Sequence, residues 1–402
     1  MKKYYTIAFL TVVSVVCCYG QLPFKFDSLY KTIHAKDFCM LMQKHPDLLL
    51  IDVRSAGEYR DTSRYTSLNQ GHLKGAINLN IDDIKNNVSI MNPYKDKTIV
   101  LYCSHSQRSR RVSKLLTENG FTNFYNLNGG MSVLNQLTEA DFPCKKDLIV
   151  SALPFQNLSF AESANLIRNE KQLVVIDVRS SSQFASRDTI PQNNVGRIKG
   201  AINIPYQDIV KRGTESINKY KEQPVLIYTS SGDGDAARMA SDLVRRGFKH
   251  VYQLLGGIQN FIASQEDISM IENATPFTLI NAQRTLALLK NTKLLTIYDT
   301  RANDDYNNKL TGMISYKNLG RIKNAIHVEQ SAFDSQTLPT DKNSSILVYG
   351  NDEAFKFVSM LTAKGYKHVY LLDSLYDFVW SGFNIESCKE ARNFVENHAG
   401  LY

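Results

Sequence analysis

Short apolar runs alternate with segments of helical spacing along most of the chain. Residues 99–102, 225–228 and 346–349 are each four consecutive apolar residues. Runs this short, without polar residues between the apolar ones, are typical of strands that are buried on both faces of a parallel sheet. After the first run, Val112 and Leu116 stand at positions that share one face of a helix. This alternation predicts an α/β fold with helices on both faces of each sheet.

Three segments of the chain repeat one order of features. Each has a strand pattern that ends in Asp52, Asp177 or Asp299, then a Gly-x-x-Lys segment, and then one of the apolar runs above. The first two aspartates are 125 residues apart and the last two are 122 apart. A repeat of this length is a complete domain rather than one turn of a solenoid. The expected domains, called unit 1, unit 2 and unit 3 below, are 24–146, 147–272 and 273–398.

The first twenty residues have the pattern of a secretory signal peptide. Lys2 and Lys3 precede an apolar stretch at 7–16, and Gly20 stands before a polar residue. The stretch is too short for a membrane anchor, which needs about 20 apolar residues. A lipoprotein is disfavoured because bulky valines precede the two cysteines near the cut. We therefore expect residues 1–20 to be removed and the protein to be exported, to the periplasm or the cell exterior, with no later membrane span.

Charge and cysteine content exclude several classes of function. The net charge is +8, but no run of Lys and Arg or basic–aromatic pattern accompanies it, so nucleic acid is not an expected partner. Cys39, Cys103, Cys144 and Cys388 remain after cleavage, too few for a disulfide framework in a chain of this length. Two of Cys39, Cys144 and Cys388 could still pair outside the cytosol. None of the four has metal-ligand spacing, and no metal or cofactor is expected.

The motifs of unit 1 resemble those of the rhodanese domain. They are the Asp-Val-Arg that runs from Asp52 to Arg54, the Gly-His-Leu-Lys-Gly-Ala-Ile-Asn segment at 71–78, the loop at 103–109 and a closing Gly-Gly pair. The resemblance extends over all three units and implies an open, mainly parallel sheet flanked by helices in each. Asp52 and Arg54 are expected to fix the turn after the first strand. The family often has glycine where Ser106 stands, a position for which serine is less suited.

Cys103 is the candidate nucleophile. It directly follows a predicted strand and precedes a helix, where backbone N–H groups and the helix dipole stabilise a thiolate. The resemblance implies that Cys103 takes the outer sulfur of an anionic donor such as thiosulfate. The resulting persulfide would then pass the sulfur to a thiol or to cyanide. The expected substrate-binding residues are Ser104, His105, Ser106, Gln107, Arg108 and Ser109.

The loop of unit 1 can be compared with phosphatase loops and with the equivalent segments of units 2 and 3. These comparisons narrow the type of reaction and the number of active units. Cysteine-dependent phosphatases of similar architecture need five residues between cysteine and arginine, whereas four separate Cys103 from Arg108. The smaller loop suits a sulfur atom better than a phosphoryl group. In units 2 and 3, Thr229 and Gly350 stand where a cysteine would be needed, so both units are predicted to be catalytically silent.

Two hypotheses from different classes therefore remain open. In the first, the protein is a sulfurtransferase with one site, and units 2 and 3 shape the cleft or recognise a protein partner. In the second, it is an envelope scaffold or redox-sensing protein in which Cys103 is vestigial or is oxidised reversibly.

Overall fold

The computed structural model describes residues 29–212, 215–232, 234–265, 267–311 and 318–396. The expected signal peptide at 1–20 lies outside these residues. Within them, three five-stranded parallel sheets confirm the predicted α/β architecture. Their strand orders are equivalent, so the three units repeat one topology. The orders are β1-β6-β5-β2-β4, β8-β13-β12-β9-β11 and β15-β20-β19-β16-β18, with the strand bounds given below.

Unit 1 carries the candidate nucleophile, and its central strand, β5, is an apolar run predicted from the sequence. All four residues of β5 are buried, as a strand covered on both faces requires. Its strands are β1 (Lys31–Ile33), β2 (Leu49–Asp52), β3 (His72–Leu73), β4 (Ile77–Asn78), β5 (Ile99–Tyr102), β6 (Phe124–Leu127) and β7 (Ile149–Val150). Its helices are α1 (Ala35–Lys44), α2 (Ala56–Tyr59), α3 (Ile81–Asn86), α4 (Gln107–Glu118), α5 (Gly130–Gln136) and α6 (Lys145–Leu148).

Unit 2 repeats this order of elements, except that its described residues have no counterpart of α6. Its first long helix begins with a capping box, in which the Ser159 hydroxyl and the Glu162 carboxylate accept each other's backbone N–H groups. The strands are β8 (Gln156–Leu158), β9 (Val174–Asp177), β10 (Arg197–Ile198), β11 (Ile202–Asn203), β12 (Pro224–Tyr228), β13 (His250–Leu254) and β14 (Ile271–Glu272). The helices are α7 (Phe160–Asn169), α8 (Ser181–Phe184), α9 (Tyr206–Arg212), α10 (Gly234–Arg245) and α11 (Gly257–Ser264).

Unit 3 repeats the seven strands but, within its described residues, has no α-helix at the positions of α3 and α6. Its core merges with that of unit 2 in one cluster of buried apolar side chains. The strands are β15 (Thr278–Ile280), β16 (Leu295–Asp299), β17 (Arg321–Ile322), β18 (Ile326–His327), β19 (Ser345–Tyr349), β20 (His368–Leu372) and β21 (Val395–Glu396). The helices are α12 (Ala282–Asn291), α13 (Asn303–Tyr306), α14 (Asp352–Ala363) and α15 (Leu375–Asn384). None of the helices in the described residues has the length and apolar character needed to cross a membrane.

A short antiparallel ribbon closes each unit. β3 pairs with β7, β10 with β14, and β17 with β21. The first ribbon holds β7, at 149–150, on unit 1. The chain of unit 1 therefore continues through β7, past the position 146 at which its end was expected and which lies inside α6.

An arginine folds back on the aspartate that ends the second strand of each unit. In unit 1, Arg54 Nε and Nη2 donate to the Asp52 carboxylate at 3.0 and 2.7 Å, and Nη2 also donates to the Gly71 carbonyl at 2.6 Å. Both charged side chains are fully buried. Arg179 and Arg301 repeat the arrangement. The strand that the sequence analysis counted as the first of unit 1 is β2, because β1 precedes it. The ion pair fixes the turn after β2, which is a structural role.

The three units close into a ring, because the last long helix of each contacts the next unit. Gln136, at the end of α5, donates to the Leu255 carbonyl of unit 2 at 3.1 Å. The Ala263 carbonyl in α11 accepts the N–H of Asn281 in unit 3 at 3.0 Å. Asn384, at the end of α15, accepts a backbone N–H just before α5 of unit 1 at 3.1 Å. The units without a cysteine are thus packed against the unit that has one.

A disulfide joins Cys39 in α1 to Cys144 before α6. The sequence left open which of three cysteines pair, and the structure joins these two. Cys103 and Cys388 are free and buried among the described residues.

Removal of this disulfide is expected to destabilise the protein by about 2–5 kcal/mol. The bond joins positions 105 residues apart and so restricts the unfolded chain. Urea unfolding of Cys39→Ala/Cys144→Ala beside the wild type measures the difference. Wild-type protein treated with a reductant should unfold like the variant. Equal unfolding midpoints for the variant and the oxidised wild type would contradict the prediction.

Candidate active site

Cys103 directly follows β5, the central strand of the unit 1 sheet. Its side chain is free, and the residue is only 1% exposed. The Ser109 hydroxyl, in the first turn of α4, lies 3.7 Å from the Cys103 sulfur. Only residues 103–106 separate β5 from α4, so the loop brings the N-terminus of a 12-residue helix to the thiol. The positive end of the helix dipole favours negative charge at this place.

Ser106 turns the chain from the strand into α4. Its φ is +66°, in the left-handed region, which costs a residue other than glycine roughly 1–2 kcal/mol. Two hydrogen bonds hold the residue: its hydroxyl donates to the Leu127 carbonyl at 3.1 Å, and its carbonyl accepts the Ser109 hydroxyl at 3.1 Å. Serine therefore takes the conformation for which glycine is better suited.

Backbone N–H groups at the start of α5 hold the loop by hydrogen bonds. The Met131 N–H donates to the Cys103 carbonyl at 3.0 Å, and the Ser132 N–H donates to the Ser104 carbonyl at 2.9 Å. Gly130 comes so close that a Cβ there would lie 2.2 Å from the Cys103 carbonyl oxygen. A residue with a side chain would not fit at Gly130, because the two backbones lie too close together. This explains the second glycine of the closing Gly-Gly pair.

Arg108 forms a two-point ion pair with Glu58 of α2. Its Nη1 and Nη2 donate to the carboxylate at 2.6 and 2.5 Å, and Nη2 also donates to the Ser104 hydroxyl at 2.9 Å. The Glu58 side chain is 4% exposed and that of Arg108 is 27% exposed. Burial alone would raise the pKa of Glu58, but hydrogen bonds from Arg108 and Ser55 outweigh it and lower the pKa to about 2. The guanidinium that the sequence assigned to substrate binding thus also ties the loop and the start of α4 to α2.

His105 in the loop and Gln107 at the start of α4 lie on the side that faces unit 3. The His105 ring is exposed on one side, and its Nε2 lies 2.9 Å from the Ser132 hydroxyl. Surrounding protein and the nearby Arg108 guanidinium disfavour the charged ring and lower the pKa of His105. The Gln107 amide donates to the Tyr376 hydroxyl of unit 3.

Helix α15 of unit 3 covers this side. The Trp380 indole N–H donates to the His105 carbonyl at 3.2 Å. The Asn384 side-chain oxygen accepts from Arg110 at 3.0 Å and from the Gly129 N–H at 3.1 Å. Arg110 is fully buried, so its guanidinium serves this junction between unit 1 and unit 3. Of the six residues proposed from the sequence, three lie in the loop after Cys103 and three in the first turn of α4. Helix α15 of unit 3 contacts both parts, which the sequence did not indicate.

Comparison with known families identifies the three units. The sequence model of the "Rhodanese-like domain" matches residues 36–136, 159–264 and 281–377, which together make up most of the chain. The chain belongs to the rhodanese-like domain family. Each match falls on one of the three parallel sheets.

The individual relatives below match a segment about as long as one rhodanese-like domain. The uncharacterized protein YqhL of Bacillus subtilis is 37% identical over 81 residues, which are 20% of this chain and 56% of YqhL. A tRNA uridine(34) hydroxylase of Photorhabdus laumondii is 31% identical over 94 residues, which are 22% of this chain and 24% of that protein. The chain therefore spans about half or a quarter of the length of these relatives.

Among solved structures, that of wild-type EanB overlaps with 87% of this chain and 95% of its own. The sequence identity is 15% and the TM-score 0.29. This overlap is too loose to support an inference about the present chain.

The rhodanese-like units 2 and 3 have lost the site in different ways. Unit 2 keeps the loop backbone, with Thr229 in place of the cysteine and Gly232, at φ +77°, in place of the left-handed serine. Unit 3 loses the loop itself, because α14 begins two residues after Gly350. Neither keeps the arginine, since Gly234 and Phe355 stand five residues beyond the replaced cysteine.

Glu58 is a site residue that sequence analysis missed. Its local signal is the capping box that it forms with Ser55, which indicates only the start of α2. A stronger signal is the comparison of repeats, because unit 2 has Gln183 and Gly234 at the positions of Glu58 and Arg108. Unit 2 thus lacks both the acid and the arginine, whereas unit 3 keeps an acid, Asp305, without the arginine.

The Glu58–Arg108 pair predicts a loss of stability in acid. The folded pKa of Glu58, about 2, lies below its ordinary value of 4.5. The pair therefore stabilises the fold above about pH 4.5 and loses this contribution as the pH falls toward 2. Urea unfolding between pH 7 and pH 3 should show a smaller acid-dependent loss in Glu58→Gln than in the wild type. Parallel pH profiles for the two proteins would show that the pair contributes nothing.

Proposed function

We propose that unit 1 is a sulfurtransferase that carries sulfane sulfur as a Cys103 persulfide. The observation that carries this proposal is the free thiol of Cys103 in a loop of four residues between the central strand and α4. Membership of the rhodanese-like family supports the same class of chemistry.

The proposed reaction has two steps. The Cys103 thiolate attacks the outer sulfur of thiosulfate, a new S–S bond forms, and sulfite leaves with the electron pair of the broken bond. The acceptor, cyanide or a thiolate, then attacks the outer sulfur of the persulfide. The S–S bond to Cys103 breaks and its electron pair returns to the cysteine as thiolate. No cofactor or external oxidant is needed.

The loop itself supplies the proposed binding surface for the donor. Backbone N–H groups in a tight turn form an anion-binding nest, and the N-terminus of α4 adds a favourable dipole. The guanidinium of Arg108 remains partly exposed beside its ion pair with Glu58 and adds positive charge. We assign donor binding to the backbone and side chains of Ser104, His105, Ser106, Gln107, Arg108 and Ser109.

The competing hypothesis is a scaffold or redox-sensing protein. The 1% exposure of Cys103 favours it, because a bulky acceptor could not reach the sulfur without a movement of the loop or of unit 3. A cysteine that never forms a persulfide would decide for the scaffold, whereas a cysteine that is oxidised without a sulfur donor would decide for the sensor.

We also propose export to an oxidising compartment. The signal-like residues 1–20 and the Cys39–Cys144 disulfide support this location. The silent units are proposed to shape the cleft of unit 1, and their remaining surface to recognise a protein partner.

A substrate panel tests the proposed activity. The mature chain, incubated with thiosulfate and cyanide, is expected to form thiocyanate in proportion to enzyme. Under the same conditions it should release no phosphate from p-nitrophenyl phosphate, because the loop is one residue shorter than a phosphatase loop. Phosphate release without thiocyanate formation would assign unit 1 to the phosphatases instead.

A further inference from the structure

Trp380 of unit 3 reaches across the unit boundary to one peptide group of the Cys103 loop. Its indole N–H donates to the His105 carbonyl at 3.2 Å. The same side chain lies edge-on to the His105 ring, with 6.3 Å between the ring centroids. A unit that has no cysteine thus contacts the backbone of the loop that carries one.

This contact fixes the direction of a neighbouring donor. The His105 carbonyl and the Ser106 N–H belong to one planar trans peptide, in which the two groups point in opposite directions. A carbonyl that points out to Trp380 therefore turns the Ser106 N–H away from unit 3 and into the loop. An anion held by the loop would need donors on that inner side.

The conformation of Ser106 favours rotation of this peptide. Ser106 has φ +66°, a conformation that is unfavourable for any residue with a Cβ. Rotation of the 105–106 peptide changes this φ and would let Ser106 return to an ordinary region. The hydrogen bonds of the Ser106 hydroxyl and carbonyl involve its side chain and the peptide that follows it. The contact with Trp380 instead involves the peptide that precedes it.

Unit 2 provides the internal comparison. The residue at the Ser106 position is Gly232, which takes φ +77° without the steric cost of a side chain. A loop with glycine at this position does not carry this cost, whereas in the loop with serine a further hydrogen bond to the preceding peptide would offset part of it.

We propose that Trp380 is a positioning residue that keeps the 105–106 peptide turned with its N–H into the Cys103 loop. This inference rests on the proposed sulfurtransferase function of unit 1. It assigns unit 3 a specific part in that function: the silent unit completes the anion-binding loop of the active one.

The test combines two substitutions. Trp380→Phe keeps the aromatic packing and removes the donor, and it is expected to lower kcat/KM for thiosulfate by about fivefold to tenfold, the effect of one hydrogen bond. Ser106→Gly removes the cost of the left-handed conformation. In the Ser106→Gly background, Trp380→Phe should therefore cost less than about twofold. An equal loss in both backgrounds would overturn the proposal, because a merely structural role of Trp380 would not depend on residue 106.

Tyr376→Phe is the matched control. It removes a hydrogen bond from the same helix, but one that reaches the Gln107 side chain at the start of α4 rather than a peptide group of the loop. Its effect on kcat/KM should be smaller than that of Trp380→Phe. Equal losses in kcat/KM for the two variants would mean that each hydrogen bond from α15 to unit 1 affects activity equally. That result would contradict a specific role for Trp380.

Crystal structures of the wild type and of Trp380→Phe separate this inference from the proposed function. The inference predicts a turned 105–106 peptide and a negative φ at Ser106 in the variant alone. An unchanged peptide in the variant would overturn it even if the enzyme transfers sulfur. A wild type that forms no thiocyanate would refute the proposed function, while the two structures would still decide the orientation of the peptide.

Discussion

Cys103→Ser is expected to reduce sulfur transfer from thiosulfate to background, by about a thousandfold or more, as for the loss of an enzyme nucleophile. A serine hydroxyl cannot form the S–S bond in which the proposed intermediate stores the transferred sulfur. The substitution changes one atom in a buried loop, so the fold should persist. Initial rates of thiocyanate formation, with circular dichroism to verify folding, measure the effect.

Cys388→Ala is the matched control, since Cys388 is the other free and buried cysteine of the described residues. Burial raises the pKa of the Cys388 thiol and so disfavours its nucleophilic form. Its substitution should leave the transfer rate within about twofold of the wild type. Activity retained in Cys103→Ser but lost in Cys388→Ala would move the site to unit 3 and refute the assignment.

Arg108→Ala is expected to have the second largest effect. It should cost about 2–3 kcal/mol in kcat/KM, the range for truncation of a charge-assisted hydrogen bond. It should also lower the free energy of unfolding by about 3 kcal/mol, because the buried Glu58 carboxylate loses its partner. Arg108→Lys should restore only part of either loss, since lysine lacks the planar fork. Steady-state kinetics and urea unfolding of both variants provide the measurements.

Glu58→Gln separates the two roles of Arg108. If Arg108 only anchors the loop, Glu58→Gln should lower kcat/KM about as much as Arg108→Ala does. If Arg108 also binds the donor, KM for thiosulfate should rise in Arg108→Ala and remain near the wild-type value in Glu58→Gln. Unchanged kinetics in all of these variants would leave Arg108 without a role in the reaction.

Local pattern was sufficient to predict the fold. Apolar runs such as 99–102 predicted the buried central strands, and Asp52 and Arg54 were expected to fix a turn, although their ion pair was not predicted. The position of Cys103 between strand and helix followed from the same spacing. Features that depend on neighbours within about ten residues are therefore visible in the sequence.

The surroundings of the loop were not visible in this way. Trp380 contacts a loop that lies 275 residues earlier in the chain, and Glu58 meets an arginine 50 residues later. Such contacts depend on how the three units close into a ring, which no periodicity encodes. The pairing of Cys39 with Cys144 likewise required the positions of α1 and the segment before α6.

Mass spectrometry of the thiosulfate-treated protein tests the central claim most directly. The account predicts one added sulfur atom on the peptide that contains Cys103, its loss after addition of cyanide, and no addition in Cys103→Ser. A wild-type protein that gains no sulfur, or that gains it on Cys388, would contradict the claim that unit 1 carries sulfur on Cys103.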